Sequence, residues 1–250
     1  MAKTFEGKVV LVTGANSGIG ESIAVAFVDA GATVFGLARR KEGVDAGRSR
    51  HPRVKWLLAD VTNESQVTHA VESVVREGGR LDVVVNNAGI AAFAPLEGST
   101  ADMVRSQFEV NVYGTTFVTR AALAALKASK GSVVNIGSAA GHKPRPGAAH
   151  YGATKAAIEA LTRSWAVELG PFGVRVNTIA PGPTDTQVFE KLGLPAEAIS
   201  GLKAQFVKEL PLGRIARPEE IAHWVVAISE PTVTWVTGQV LSIDGGMSVA

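Results

Sequence analysis

Tyr151 and Lys155 lie four residues apart in a stretch with helical spacing, so their side chains are expected to share one face of a helix. A free phenol titrates near pH ~10 and is a poor base at neutral pH. An ammonium beside it favours the phenolate and lowers that value, toward the range useful for general acid–base work. Ser138 ends an apolar run thirteen positions before Tyr151, so strand end and helix start could bring both hydroxyls to one carbonyl oxygen. Taken alone, a Tyr-x-x-x-Lys pair is also what an ordinary helix surface presents.

A second group is built for phosphate. Thr13-Gly14-Ala15-Asn16-Ser17-Gly18-Ile19-Gly20 follows Val9-Val10-Leu11-Val12 and opens a helical stretch. Glycines in that context permit a tight turn and close approach of backbone to a pyrophosphate seated on a helix N-terminus. The spacing is Gly-x-x-x-Gly-x-Gly rather than the dinucleotide fingerprint Gly-x-Gly-x-x-Gly. A plain strand-to-helix turn is the competing reading.

The elements that must position these residues follow from periodicity. Short apolar, β-branched runs occur at 9–12, 33–37, 54–58, 81–85, 132–136, 174–179 and 240–243, and read as strands buried on both faces. Helical spacing occupies 19–30, 64–77, 101–128, 151–169 and 218–228. Parallel strands need long crossovers, so the alternation predicts an α/β fold: one doubly wound parallel sheet of about seven strands with helices on both faces. The 250 residues are expected to form a single domain around one core. The stretch 183–213 is too long for an ordinary connection, and its place after the sixth strand predicts a lid at the carboxyl edge of the sheet.

Composition narrows the function classes. The 25 Lys and Arg against 23 Asp and Glu include no basic block able to track a nucleic-acid backbone, so no nucleic acid is expected as partner. No cysteine is present, and the five histidines lack ligand spacing, so no metal site is predicted. No apolar stretch is long enough to span a bilayer, and the segment before the first strand does not resemble a signal peptide. A soluble cytoplasmic protein is expected.

The glycine-rich loop, Asn86-Asn87-Ala88-Gly89 after the fourth strand and Tyr151-Gly152-Ala153-Thr154-Lys155 arrive together in the order of the short-chain dehydrogenase/reductase family. The chain resembles that family, in its compact Rossmann-type form, from about residue 8 to residue 247. The resemblance implies an oxidoreductase in which Ser138 orients the substrate oxygen and Tyr151 transfers the proton. It implies that Lys155 holds the nicotinamide ribose and lowers the tyrosine pKa, and that Asn111, within Phe108-Glu109-Val110-Asn111-Val112, anchors a water in a proton relay. A helix-interior asparagine bonded to backbone is the other reading of Asn111.

The nucleotide is expected to be NADP(H). An acid at the end of the second strand would hold a ribose 2′-hydroxyl and repel a 2′-phosphate, but here the strand ends in Ala38-Arg39-Arg40. Guanidinium groups pair well with phosphate. Relatives usually mark NADP with a basic residue where Arg39 stands, and Arg40 is expected to help; many also carry one where this chain has Ser17. The resemblance adds further contacts: Asp60 and Val61 at the adenine, Asn87, Ala88 and Gly89 beside the adenosine, and Pro181, Gly182, Thr184 and Thr186 at the carboxamide. Asp60 could instead cap the helix beginning near Glu64.

In this family substrate residues come from the segments after strands four and five and from the lid, here 90–95, 139–150 and 183–212. Phe93, His142 and His150 are the larger side chains of the first two, and Phe189, Leu192 and Phe206 could form an apolar ceiling. A medium-sized hydrophobic ketone or secondary alcohol fits such a lining, and a 3-oxoacyl-thioester on an acyl-carrier protein is the alternative. Lys143 and Arg145 could meet an acidic substrate or carrier, or form a solvated loop. A non-catalytic NADP(H)-binding sensor or scaffold is a third reading, to which the intact Ser138, Tyr151 and Lys155 give no support. The final strand and the long apolar helices resemble the family's contact surfaces and predict a homotetramer, with a dimer next.

Overall fold

The computed structural model describes residues 4–190 and 195–250. Seven runs of apolar and β-branched residues form the strands β1 (Val9–Thr13), β2 (Thr33–Ala38), β3 (Lys55–Leu58), β4 (Val83–Asn86), β5 (Ser132–Ile136), β6 (Arg175–Pro181) and β7 (Val240–Ile243). They make one parallel sheet in the order β3-β2-β1-β4-β5-β6-β7. In its centre Leu11 stands opposite both Phe35 and Val84.

Helices cover both faces, because residues alternate sides along each strand. Val10 and Val12 pack with Ile23 and Phe27 of α1 (Gly18–Asp29) and with Ile221 and Val225 of α8 (Pro218–Ser229). Val9 and Leu11 point the other way. There they meet Val67, Val71 and Val74 of α3 (Glu64–Gly78), Val118 and Leu126 of α5 (Thr115–Ser129), and Leu169 of α6 (Ala149–Leu169). The chain runs outward from β1 through β2 to β3 and then returns to β4 on the opposite side. That reversal leaves a crevice beyond the carboxyl ends of β1 and β4, where ligands of such sheets bind.

Two stretches differ from the sequence expectation, at 101–128 and after β2. The segment 101–128 is not one helix: α4 (Ala101–Phe108) gives way to a π-helical turn, Glu109–Gly114, before α5. Thr115 and Thr116 hydroxyls donate to the carbonyls of Asn111 and Val112 there, both at 2.9 Å, which satisfies groups the wider turn loosens. A polar helix α2 (Lys41–Arg50) follows β2, held by buried Val44 and by Gly47 against the Trp56 ring. The stretch 183–213 carries α7 (Ala196–Glu209), none of whose side chains is fully buried. Leu192 lies outside the described residues.

The N-cap of α3 is Asn63, whose side chain accepts from Gln66 N, so Asp60 does not cap it. Among the described residues no helix is long and apolar enough to cross a membrane.

Candidate active site

The crevice between β1 and β4 is built from main chain. Gly14 turns out of β1 at φ +64°, a conformation that favours glycine. Asn87 locks the turn, donating from Nδ2 to Thr13 O at 2.9 Å and Gly14 O at 3.2 Å. The Thr13 hydroxyl accepts from the N–H of Asn87 and of Ala88. A Cβ at Gly20 would stand 2.3 Å from both Asn87 Nδ2 and Gly14 O, so only glycine fits where α1 meets this turn. Ser17 precedes α1 but its side chain makes no capping bond, which leaves first-turn N–H groups for an anion. Arg50, which the sequence reading passed over, braces the loop by donating to Asn16 O at 2.9 Å.

The resulting cleft has a volume of about 500 Å³. It brings together Gly14, Asn16, Ser17, Gly18, Ile19, Gly20, Arg39, Arg40, Asp60, Val61, Asn87, Ala88, Gly89 and Thr186 from the expected set. Ile90 and Gln187, expected on the substrate side, also line it, as do Leu37, Ala59 and Val110, which sequence reasoning missed. Pro181, Gly182 and Thr184 do not line it. Pro181 belongs to β6, Gly182 N donates to Ile243 O, and buried Thr184 bonds to Gly182 O. At the far end no carboxylate closes β2. Arg39 is 58% exposed and its Nε stands 3.9 Å from Asp60 Oδ2, whose other oxygen accepts from Thr62 N and Oγ1.

Past the end of β5, the backbone continues through Gly137 to Ser138, which stands beyond the strand rather than in it. There it precedes a short turn, Ala139–Gly141, and its Oγ accepts from Ala140 N at 3.2 Å. Tyr151 is in the first turn of α6, with Lys155 one turn later. Lys155 is buried, and its Nζ donates to Ile136 O at 2.8 Å and lies 5.7 Å from the centre of the Tyr151 ring. Burial raises the Tyr151 phenol above its ordinary value, opposed by the Ser138 hydroxyl. Burial also pulls Lys155 down to about 8. The lowering of the phenol expected from an adjacent ammonium is therefore not what the protein produces by itself; desolvation dominates, and the ammonium is held at the Ile136 carbonyl.

Asn111 sits at the π-helical turn, buried. Its Nδ2 donates to Ile90 O at 2.9 Å and to Thr154 Oγ1 at 3.0 Å, and its Oδ1 accepts from Ile90 N at 2.8 Å. One side chain thus ties the segment after β4 to α6, beside Tyr151, whose carbonyl accepts from the Thr154 hydroxyl. It bonds to backbone, as the simpler sequence reading expected, but to backbone of a different segment.

On the substrate side, Phe93 stacks edge-on against Tyr151 with centroids 5.7 Å apart. Phe189 and Phe206 meet at 6.3 Å, and Phe206 packs on Ala139, Leu210 and Met247, the last of which sequence reasoning missed. His142 is tied instead to Glu159 on α6, Nδ1 to Oε1 at 2.9 Å, and to Ser242 on β7 at 3.2 Å. His150 lines a separate groove with Leu96, Val104, Phe108 and Tyr113. Lys143 and Arg145 are not a solvated loop. Lys143 donates to the carbonyls of Met247 and Ala250, and Arg145 pairs with Glu209 while lying over the Phe206 ring.

Comparison with known proteins places this geometry. Residues 14–248 match the family model described as enoyl-(acyl carrier protein) reductase. The chain is 37% identical over 249 residues to a 3-oxoacyl-[acyl-carrier-protein] reductase of Thermotoga maritima, covering 98% of this chain and 99% of that one. It is 36% identical over 252 residues to cis-4-hydroxycyclohexanecarboxylate dehydrogenase of Sinomonas cyclohexanicum, covering 98% of each. Among solved structures, a 3-ketoacyl-(acyl-carrier-protein) reductase from Brucella melitensis complexed with NADH superposes with a TM-score of 0.90 at 31% identity, covering 98% of this chain and 99% of that one.

Proposed function

Because this chain belongs to the short-chain dehydrogenase/reductase family, we propose that it uses NADP(H) to interconvert a ketone and a secondary alcohol, with Tyr151 as proton donor and acceptor. The chain is an oxidoreductase acting on CH–OH and carbonyl groups. The observation that carries the finer reading is the meeting of Ser138, Tyr151 and buried Lys155 beside a dinucleotide-sized cleft.

The cleft fits a nicotinamide dinucleotide: a glycine turn at the start of α1, uncapped N–H groups, and the exposed guanidinium groups of Arg39 and Arg40 at the distal end, the first of them within 3.9 Å of Asp60. When bound, the nicotinamide supplies hydride to the carbonyl carbon or takes it from the alcohol carbon. Ser138 hydrogen-bonds the substrate oxygen and stabilises charge developing on it. Tyr151, protonated at neutral pH as a phenol with burial favouring that form further, donates its proton to that oxygen in reduction. Lys155 is predominantly cationic below about 8 and lowers the cost of the phenolate left behind. In oxidation the phenolate takes the hydroxyl proton back. Asn111, the fourth member of the set, holds α6 and the segment after β4 in register for this exchange. Thr186 is the member of the expected carboxamide-binding segment that lines the cleft.

The preference for NADP(H) rests on the absence of a carboxylate after β2 and on Arg39 and Arg40 at that end. Steady-state kinetics with each nucleotide test it. Arg39→Ala should lower kcat/KM for NADPH by about tenfold or more while NADH changes little, since a charge-assisted contact to phosphate is lost. Equal losses would remove the 2′-phosphate assignment.

Reduction of a 3-oxoacyl-thioester is the second reading, supported by the Thermotoga maritima relative. Both that protein and the cyclohexane relative are named for carbonyl or carbinol chemistry on unlike substrates, so the pair leaves the acyl portion open. Turnover of an acyl-thioester beside aryl and alicyclic ketones separates the readings. A homotetramer, by resemblance to the family, remains part of the proposal; exposed Val167, Phe172 and Trp235 are apolar surface that association would cover, and light scattering measures it.

A further inference from the structure

Arg145 lies on the connection that runs from Ser138 to Tyr151, and its carbonyl accepts from Ala148 N just before α6. Its guanidinium is held from one side. It rests over the Phe206 ring at 4.6 Å and pairs through Nη2 with Glu209. Nη1 is buried and, among the described residues, has no hydrogen-bond partner. A buried donor on a cation left without an acceptor is costly, and an acceptor brought by a ligand removes that cost. The surroundings are apolar: Phe206 packs on Ala139, Leu210 and Met247, and Ala139 directly follows Ser138. Lys143 adds a second cation on the same connection, anchored to the Met247 and Ala250 carbonyls.

We propose that Arg145 is a specificity-determining residue whose Nη1 takes the carboxylate of a hydroxy or oxo acid, the hydrocarbon body of which lies against the partly buried Phe206 ring. The inference rests on the reading of Ser138 and Tyr151 as the reacting end. A guanidinium presents a planar fork of donors suited to carboxylate. Phe206 and Glu209 fix its plane before substrate arrives, so little freedom is lost on binding. An uncharged ester or thioester carbonyl at the same donor forms a weaker bond, since charge-assisted pairs are about twice as strong as neutral ones.

The test is a matched pair, an oxocyclohexanecarboxylate and its methyl ester, each reduced with NADPH. The native protein should favour the acid in kcat/KM by about tenfold or more. Arg145→Met should abolish that preference while the ester's kcat/KM stays within a few-fold. Equal use of acid and ester by the native protein, or equal loss of both in Arg145→Met, overturns the inference while leaving the ketone-reductase reading intact. If neither compound is reduced, that reading fails for this class of ketone, and calorimetric titration of cyclohexanecarboxylate into protein saturated with NADP⁺ decides the contact itself. Binding to the native protein but not to Arg145→Met upholds it; no binding, or equal binding to both, overturns it. Should Arg145→Met fail to fold, Glu209→Gln serves. It leaves Nη1 and the Phe206 contact in place and should keep or strengthen the acid preference, and loss of the preference sinks the inference.

Discussion

The crevice beside β1 and the wall formed by α7 are held together in different ways. Around Thr13, Gly14, Asn87 and Asn111 the bonds are at least partly buried and most involve main chain, so geometry is fixed by groups with few other partners. On the other side α7 is attached by side-chain ion pairs at the surface, Arg145 with Glu209 and Lys203 with Asp185, and by aromatic contacts of Phe189 and Phe206. Exposed pairs of this kind contribute little to stability. The first region is built to hold one arrangement; the second is held by contacts whose loss would leave the sheet folded.

Removing the reacting hydroxyl probes the fixed region most severely. Tyr151→Phe should lower kcat by about a hundred- to ten-thousand-fold, the usual worth of a positioned acid or base. The NADPH dissociation constant, measured by nucleotide fluorescence, should hardly move, since the β1 crevice is untouched. Near-normal turnover would remove Tyr151 from its role, and a large loss of nucleotide affinity would show that the two parts of the fixed region are not independent.

Lys155 tests whether the fixed region costs stability. Its folded value of about 8 lies below the ordinary 10.5, so between those values the unfolded chain holds a proton that the folded chain has released. Stability then rises with pH across that window, and the penalty for the buried charge is fully present below it. The whole effect is about 3 kcal/mol at most. Denaturant unfolding without nucleotide should show the native protein gaining on Lys155→Met as pH goes from about 7 to about 10. A constant difference between the two across that range would mean that Lys155 is not desolvated.

Much of the fixed region was legible in the sequence because its causes are local. β5 and β7 have the limits that their apolar runs suggest, and the glycines of residues 14–20 stand in a short turn whose purpose can be read from spacing. What escaped depends on residues far apart in the chain. The π-helical turn at Asn111 exists in the company of Ile90 and Thr154, and α2 is polar in sequence yet held by Trp56. Lys143 and Arg145 look like free cations until partners 104 and 64 positions away are known. Leu37, Ala59 and Val110 read as core because nothing in an apolar residue marks it as the wall of a cleft.

The smallest effects sharpen the contrast, because one chemical change should have opposite signs in the two regions. Gly20→Ala would drive a methyl group into Asn87 Nδ2 and Gly14 O, each 2.3 Å from the new Cβ. Backbone on one side and a doubly bonded amide on the other cannot yield, so a loss of about 1–3 kcal/mol is expected, with weaker nucleotide binding. Gly201, inside α7, has nothing within 4 Å of the corresponding position and an ordinary helical backbone. There Gly201→Ala should add up to about 1 kcal/mol of helix propensity, the entropy that glycine gives up in a helix. That gain is local to α7, so global unfolding of the sheet should change little while amide exchange within 196–209 slows. If Gly201→Ala raised the midpoint of global unfolding as much as Gly20→Ala lowered it, α7 would be coupled to the sheet as tightly as the β1 turn is. Surface ion pairs and the Phe189–Phe206 contact would then be too weak an account of how it is held.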